Sequence, residues 1–339
     1  MKSFSGSISI SSDGCEEGVF QDYFYTNGTV TRVPAFNNAS ILKEQTDVSI
    51  PYFDPTYPND NNEREDQKMI YHYTTIDSLA MILESKRLLF KRLDCMDDIE
   101  EGGVVSSGIR IGKYVFVSCW TESSEEIIPL WKMYANGKEG VRIGLKKDMF
   151  KKYLYHNPVF GNQQWYGSMS IPISMDQMQN PEYFVSPDFD LNRGYFYREV
   201  QYVDDVKEKT KNAVIITGKD NKKINISISF GEIGRYKNKR WSFQKESRFV
   251  LTILPFNPML ENTSNLGMIA VNSYLQNKPI RFDKIYLDLD QDVLSEIEIT
   301  LSPEAGEAQR IVVESLAKLY APGANIQFSS LRDCVRFND

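Results

Sequence analysis

Glu246 and Arg248 stand two residues apart where the segment Ser247–Leu254 predicts a strand. Because side chains alternate along a strand, both would leave the same face. A carboxylate accepts hydrogen bonds from sugar hydroxyls, and a guanidinium binds phosphate oxygens as a planar fork. The pair therefore predicts a binding edge for a ribose and a phosphate, which the neighbouring Trp241 and Phe243 favour. The plainer alternative is a cross-strand ion pair.

His72 is one of two histidines and lies in Ile70–Tyr73, which is apolar and aromatic enough for a buried strand. It can act as a general base or as a neutral hydrogen-bond partner of a sugar hydroxyl. The alternative is a core histidine. Further along, Lys113–Thr121 predicts a strand that turns Cys119 to the core and Ser118 to the other face. Neither residue lies in a G-x-S-x-G turn, so neither is predicted to be a nucleophile.

Four acids follow closely in the turn at 97–101, and they can hold a divalent metal, cap a turn or orient nearby donors. These acids are Asp97, Asp98, Glu100 and Glu101. With two histidines and no C-x-x-C pair, a zinc site is not expected. The chain also lacks a P-loop and a G-x-G-x-x-G turn. Capping is the preferred interpretation, and no metal is expected.

Several elements must position these residues. Apolar spacing predicts a helix over Ile76–Leu83, with Thr74 or Asp77 as its cap. Pro129 is typical of the first turn of a second helix, Pro129–Ala135, which Asn136 and Gly137 would end. Trp131 and Tyr134 share one face of that helix. They would belong to the core or stack on a base or nicotinamide ring.

Strands and helices mingle along the rest of the chain. The predictions are a strand over Gly140–Leu145, a helix around Lys147–Tyr155, a helix from Lys207 to Val214, strands over Ile280–Leu289 and Glu296–Leu301, a helix over Pro303–Tyr320 and a strand over Asn325–Ser329. Hairpin-length spacings between single helices indicate an α+β fold, with a mixed, largely antiparallel sheet core and flanking helices. Residues 67–339 would form this domain. Residues 1–66 read as an extended N-terminal arm, a candidate contact for a partner protein or a second copy of the chain.

Composition narrows the function classes. Among 339 residues, 39 are basic and 46 acidic, which gives a net charge of −7. Non-specific electrostatic binding of nucleic acid is therefore not expected, although the basic segment Tyr236–Glu246 is compatible with a local basic groove. The chain has neither a run of about 18 apolar residues nor a secretory signal. Four scattered cysteines favour free thiols in a reducing cytoplasm.

Several motifs resemble an uncharacterised bacterial family that carries H-Y-T, N-D-P-x-E-G, a strand ending in Ser, M/L-W-x-x-Y-A, G-V-x-I and a late W-x-x-E-x-E-x-R. The corresponding segments are His72–Thr74, Asp97–Gly102, Phe116–Ser118, Leu130–Ala135, Gly140–Ile143 and Trp241–Arg248. The resemblance extends from Met69 to Phe337. Asp97, Ile99 and Gln244 depart from the family pattern.

The order of a first-strand His, a middle-strand Ser and a late Glu is also similar to that of ADP-ribosyltransferases. This resemblance implies an ADP-ribosyltransferase-like fold, NAD as substrate and Glu246 as catalytic residue. It also implies that His72 holds a ribose and that Ser118 supports the ribose or the pocket floor. The hypothesis built on it adds further NAD contacts from Tyr73, Thr74, Trp131, Tyr134 and Arg248. The acceptor would be a protein, a nucleic acid or water, in a bacterial defence or toxin setting and with no membrane involved.

Two other classes of function stay open. A non-catalytic nucleotide or nucleic-acid sensor would use Lys237–Arg240 with Trp241. A metal-dependent nuclease would use Asp98, Glu101 and Glu246.

Overall fold

The computed structural model describes residues 5–11, 18–24, 30–34, 67–160, 163–164, 167–186, 196–217, 225–257, 260 and 263–337. Its helices are α1 Ile76–Ser85, α2 Ile99–Gly102, α3 Ile128–Tyr134, α4 Met175–Met178, α5 Val206–Thr210, α6 Thr263–Leu275, α7 Gln291–Ser295 and α8 Glu307–Tyr320. Its strands are β1 Ser5–Ser11, β2 Gly18–Phe24, β3 Val30–Pro34, β4 Met69–Thr75, β5 Arg87–Arg92, β6 Val105–Ser106, β7 Ile109–Arg110, β8 Val115–Thr121, β9 Gly140–Lys146, β10 Tyr153–His156, β11 Val159–Phe160, β12 Gln163–Gln164, β13 Ser168–Ile171, β14 Gln179–Asn180, β15 Tyr183–Val185, β16 Tyr197–Glu199, β17 Gln201–Val203, β18 Val214–Thr217, β19 Asn225–Ile228, β20 Tyr236–Asn238, β21 Glu246–Leu254, β22 Lys284–Asp288, β23 Glu298–Leu301 and β24 Asn325–Phe328.

An 11-stranded sheet organises the described part of the chain. Its main path runs β14-β15-β21-β8-β4-β9-β23-β24, while β16 also pairs with β21, and β5 joins β22 to β8. The pairings are antiparallel except for the parallel pair β23–β24. The sheet is therefore mixed and largely antiparallel, with helices beside it, which confirms the predicted α+β class.

Alternation along β8 and β21 separates a core side of the sheet from a charged side. On the core side, Phe249 of β21 lies within 6.4 Å, centroid to centroid, of the rings of Trp120, Phe150 and Phe196. On the charged side, β21 presents Glu246 and Arg248, as the sequence predicts. Burial of the apolar side anchors the strand, so the charged side is held in a fixed place.

A second, antiparallel sheet has the order β18-β19-β1-β2-β3. Through it, strands from the predicted arm pair with the body: Ile8 lies opposite Ile228. The predicted boundary segment, residues 59–66, lies outside the described residues. The division into an arm and a domain at residue 66 stays a prediction.

Four local predictions are wrong. On β8, Ser118 rather than Cys119 faces the core side, because Ser118 lies opposite Phe249 and Cys119 opposite Arg248. The helix predicted from Lys207 to Val214 ends at Thr210, and Val214 begins strand β18.

The segment predicted as a helix around Lys147–Tyr155 ends in strand β10, which pairs with β13 and alternates between half-buried and exposed side chains. Its Tyr-Leu-Tyr order has the two-residue period of a strand. The cap of α1 is Thr75, whose hydroxyl accepts from the Ser78 N–H, rather than Thr74 or Asp77. By contrast, α3 carries Pro129 in its first turn as predicted.

Candidate functional site

Arg248 is the centre of a buried charged cluster on the charged side of β21. It is 1% exposed, and its guanidinium uses all five N–H donors. Nε and Nη2 donate to Glu246 Oε1 at 3.0 and 2.5 Å. Nη1 donates to Glu101 Oε1 and to the Gly234 carbonyl, and Nη2 also reaches Glu101 Oε2. Arg248, predicted to contact a phosphate, therefore has no free donor for one in this arrangement.

Glu101 reaches Arg248 from the short helix α2. Asp98 caps that helix, because its carboxylate accepts from the N–H groups of Glu100 and Glu101. Among the acids at 97–101, Asp98 thus caps a helix and Glu101 binds Arg248. Capping was the interpretation preferred from the sequence. Within the described ranges, no three His, Cys, Asp or Glu side chains are grouped so that they could hold a metal ion.

Lys237 completes the cluster from β20. Its Nζ lies 2.6 Å from Glu246 Oε2 and 2.9 Å from Gln244 Oε1, and its side chain is 4% exposed. The sequence analysis treated Lys237 as part of a basic, ligand-binding segment, and nothing in the local pattern indicated that its side chain would be buried. The sensor interpretation therefore loses one of its charges to Glu246. A second, Lys239, pairs with Asp204 at the surface.

The electrostatics of the cluster keep Glu246 ionised. Burial alone opposes its charge, but Arg248 and Lys237 outweigh burial and lower the pKa of Glu246 to about 2. Glu101 shares the same guanidinium, yet burial dominates there and raises its pKa. The Cys119 thiol hydrogen-bonds Glu246, and burial together with that carboxylate raises the pKa of the thiol. Cys119 is therefore a neutral hydrogen-bond partner of Glu246 at neutral pH.

A short polar chain leads from the cluster toward solvent. Gln244 accepts from Lys237 and donates through Nε2 to the Tyr134 hydroxyl at 2.9 Å. Tyr134, which is 37% exposed, donates in turn to Asp97 Oδ2 at 3.0 Å. Tyr134 and Gln244 thus form the outer layer above Glu246. Any ligand that reaches the carboxylate from this side must displace that layer.

The sheet opens between β4 and β8. These neighbouring strands pair only at Tyr71 and Thr121, whereas β4 pairs with β9 over seven residue pairs. On the same edge of β8, β5 takes over the pairing at Val117 and Phe116. Residues 118–120 lie between these two pairings. This edge of β8 is therefore unpaired at residues 118–120, and we call this gap the opening.

His72 occupies this opening. Its Nδ1 lies 2.7 Å from the Cys119 carbonyl, and its ring is 5.3 Å from that of Trp120. A carbonyl only accepts, so we assign the proton of the neutral ring to Nδ1 and the lone pair to Nε2. Burial lowers the pKa of His72 and outweighs the opposing effect of the carbonyl, so the ring is neutral at pH 7. No described residue bonds Nε2.

The predicted site residues divide between the two sides of the sheet. The charged side holds or packs against Tyr73, Trp131, Tyr134, Glu246 and Arg248: the Tyr73 and Trp131 rings are 5.0 Å apart, and Tyr134 reaches the cluster through Gln244. The core side holds His72, Thr74 and Ser118. The Ser118 hydroxyl accepts from the Trp120 indole at 3.1 Å. Ser118 and Glu246 do not meet.

Residues 130–249 match the family model described as a protein of unknown function (DUF2971). No curated protein and no solved structure matches the chain. The matched segment contains Tyr134, Lys237, Glu246 and Arg248, whereas His72 lies before it. Over the residues that the structure describes, no helix is both long enough and apolar enough to cross a membrane.

A second polar centre, which the sequence analysis missed, lies next to α3. The Glu126 carboxylate accepts from the Trp131 indole at 2.9 Å and from the backbone and hydroxyl of Ser330 at 2.7 Å, and it also bonds Ser329. It thereby holds the residues after β24 against α3. Only the tertiary fold brings these residues together, since Glu126 and Ser330 are 204 positions apart.

Arg142 of β9 lies on the charged side of the sheet, in register with Tyr73. Its Nη1 donates to the Ser124 carbonyl at 2.9 Å, and its guanidinium lies 4.3 Å from the centre of the Tyr71 ring. A charged residue in the otherwise apolar strand G-V-R-I-G-L was the available signal, although the sequence analysis did not use it.

Proposed function

We propose that this protein is an NAD-dependent ADP-ribosyltransferase-like enzyme that uses Glu246 as its catalytic carboxylate. The acceptor would be a protein side chain, a nucleic acid or, in simple NAD hydrolysis, water. The observation that carries the proposal is an ionised, preorganised carboxylate beside an opening in the sheet. The strands that bear His72, Ser118 and Glu246 are consecutive in that sheet, in the order β4, β8 and β21.

Glu246 has the electrostatic character that the reaction requires. Its pKa of about 2 keeps it negative at neutral pH, and its neighbours hold it in one orientation. When the C1′–N bond of NAD breaks, its electron pair leaves on nicotinamide, and the ribose gains oxocarbenium character. A carboxylate that accepts from the ribose 2′-hydroxyl stabilises this positive charge. The acceptor then attacks C1′ through an oxygen or nitrogen and gives up its proton.

Entry of the ribose requires a rearrangement on the outer side of the cluster. Glu246 Oε1 is tied to Arg248, whereas Oε2 faces Lys237 and, beyond it, the layer of Gln244 and Tyr134. In this proposal the 2′-hydroxyl replaces Lys237 at Oε2 while Arg248 stays in place. Tyr134 moves with the layer and closes over a ring of the ligand.

His72 lies on the core side of the sheet, opposite to Glu246, so in this proposal it reaches the ligand only through the opening, as a neutral hydrogen-bond acceptor. Its Nε2 lone pair can accept from a ribose hydroxyl, and the Cys119 carbonyl fixes the ring that presents it. Ser118 takes no part in the chemistry of this proposal, because its hydroxyl is engaged by Trp120 on the core side.

The test is release of free nicotinamide from NAD, followed by chromatography for the wild type and for Glu246→Gln. We expect a loss of about a hundredfold or more, the scale of one preorganised electrostatic group. Glu122→Gln is the matched control. Glu122 also has a pKa of about 2, set by bonds from Lys147, Lys68 and Tyr197 that outweigh burial, but it lies outside the cluster. The absence of both an NAD-dependent rise in melting temperature and any turnover with a cell lysate would overturn the proposal.

A further inference from the structure

Arg142 is a buried cation without a counter-ion. It is 6% exposed, and its Nε is enclosed and has no hydrogen-bond partner. Among the described residues, no ion pair joins it to a carboxylate. By contrast, the equally buried Arg248 has two carboxylates around its guanidinium. A buried guanidinium in this condition is costly, since desolvation penalises its charge and no ion pair offsets the penalty.

The groups in direct contact with Arg142 are neutral, although Glu298 lies on the same side of the sheet, opposite Gly144. Ser124 offers a backbone carbonyl and Tyr71 offers a ring face, which attract a cation without neutralising it.

The connection at residues 122–127 carries three acids: Glu122 pairs with Lys147, Glu125 is exposed, and Glu126 is engaged by other groups. Its two oxygens are occupied by Trp131, Ser329 and Ser330. Glu126 is therefore held by these donors and forms no ion pair with Arg142.

The backbone around Arg142 is shaped to keep this arrangement. Gly144, two residues along β9, pairs with Tyr71, and a Cβ there would lie 2.9 Å from Tyr71 Cε1. The glycine thus leaves room for the Tyr71 ring, which extends toward the guanidinium. Ser124 and Glu125 in the covering connection are exposed, so solvent reaches the cover of the site.

We propose that Arg142 and Tyr71 form an anion subsite that takes a phosphate group of a ligand. A phosphate oxygen would replace the Ser124 carbonyl and bond the free Nε, supplying both the missing acceptor and the missing charge. The fork of the guanidinium suits two oxygens of one phosphate. The subsite stands independently of the proposed function. If that function holds, the phosphate is part of the pyrophosphate of NAD, and Arg142 takes the role that the sequence assigned to Arg248.

The first test is thermal unfolding of the wild type in inorganic pyrophosphate and in sodium chloride of equal ionic strength. We expect pyrophosphate to raise the melting temperature by about 3 °C when it is well above its dissociation constant. Arg142→Lys keeps the charge and loses the fork, so its affinity should fall about tenfold or more. Lys239→Ala, which removes an exposed cation elsewhere, should leave the shift unchanged. Equal stabilisation by both salts in the wild type would overturn the subsite.

A second variant is needed in case the protein does not fold when Arg142 is replaced. Tyr71→Leu keeps the guanidinium but removes the ring that it contacts. Pyrophosphate binding should weaken about threefold, because the loss of the ring costs less than the energy of one full cation–π contact. Unchanged binding in folded Arg142→Lys and Tyr71→Leu proteins would also overturn the proposal. Binding of ADP-ribose distinguishes the anion subsite from the proposed NAD-dependent function. Pyrophosphate binding that depends on Arg142, without ADP-ribose binding, keeps the subsite and counts against the NAD enzyme.

Discussion

Glu246 and Ser118 leave opposite sides of the same sheet. The register of β21 against β8 sets Glu246 opposite Thr121 and Phe249 opposite Ser118, and residues that face each other across a ladder share a side. Ser118 therefore belongs to the aromatic core, and Glu246 to the charged cluster. The two residues that the family resemblance joins in one site have different neighbours.

Ser118→Ala should act on stability rather than on chemistry. The change removes the acceptor of the buried Trp120 indole N–H, which should cost about 1–3 kcal/mol in the free energy of unfolding. Below the melting temperature, we expect NAD turnover to stay within about threefold of the wild type. Urea denaturation and nicotinamide release measure the two effects. A larger fall in kcat in a folded variant would show that Ser118 does take part in the reaction.

Arg248→Lys should be among the most damaging conservative changes in this chain. Lysine has three donors and no fork, so Glu101 and Glu246 would lose bonds while buried. We expect the free energy of unfolding to fall by about 3–5 kcal/mol in urea titrations. Arg87→Lys is the matched control, because the Arg87–Asp288 pair is largely exposed and should matter by less than about 1 kcal/mol. Similar losses in the two variants would contradict the cluster described above.

Stability should depend on acid through Glu246. Its folded-state pKa of about 2 lies below the ordinary glutamate value, so its contribution is present at neutral pH and is lost as the pH falls from about 4 toward 2. Urea midpoints of the wild type should fall over this range. The Glu246→Gln protein starts lower and should show a shallower fall. Parallel pH profiles for the two proteins would show that Glu246 is not the group that titrates.

Glu126→Gln should loosen the chain after β24 without unfolding the sheet. The charged acceptor shared by Ser329 and Ser330 is lost, so the Ser330 amide should exchange its hydrogen at least about tenfold faster. Hydrogen exchange with mass spectrometry measures this locally. The exposed neighbour Glu125 gives the control variant Glu125→Gln, which should leave the exchange unchanged. An unaltered rate at Ser330 in Glu126→Gln would contradict the anchoring role.

The sensor alternative makes a separate prediction for the double variant Lys239→Ala/Arg240→Ala. Both side chains are exposed and outside the cluster, so NAD turnover should not change. A nucleic-acid sensor would instead lose affinity in this variant and in rising salt, and would keep its affinity in Glu246→Gln. Filter binding with single-stranded oligonucleotides at two salt concentrations distinguishes the cases.

Local pattern was enough to predict most elements and the faces of β21, but it reversed the two faces of β8. The alternation of apolar residues along β21 put Glu246 and Arg248 on one side, and Pro129 with Asn136 and Gly137 marked both ends of α3. The direction of a side chain on a strand and the ends of a helix depend on residues a few positions away, through backbone geometry.

The partners of the site could not be predicted in the same way. Glu101 is 147 positions from Arg248, and Lys237 turns inward because β20 packs beside the start of β21. The position of His72 depends on where two strands separate, a property of the whole sheet. Such contacts depend on tertiary packing, which the periodicity of a short sequence segment does not predict.

The wide spacing of strand partners also bears on how the chain is made. Lys91 of β5 pairs with Lys284, and Thr121 of β8 pairs with Glu246. A ribosome adding about 5–20 residues per second completes β22 on the order of ten to forty seconds after β5. Until β22 is complete, the edge of β5 that faces it has no native partner, and the edge of β8 that faces β21 has none until β21 is complete. The nascent chain is thus expected to need a chaperone, or to delay its central sheet until release.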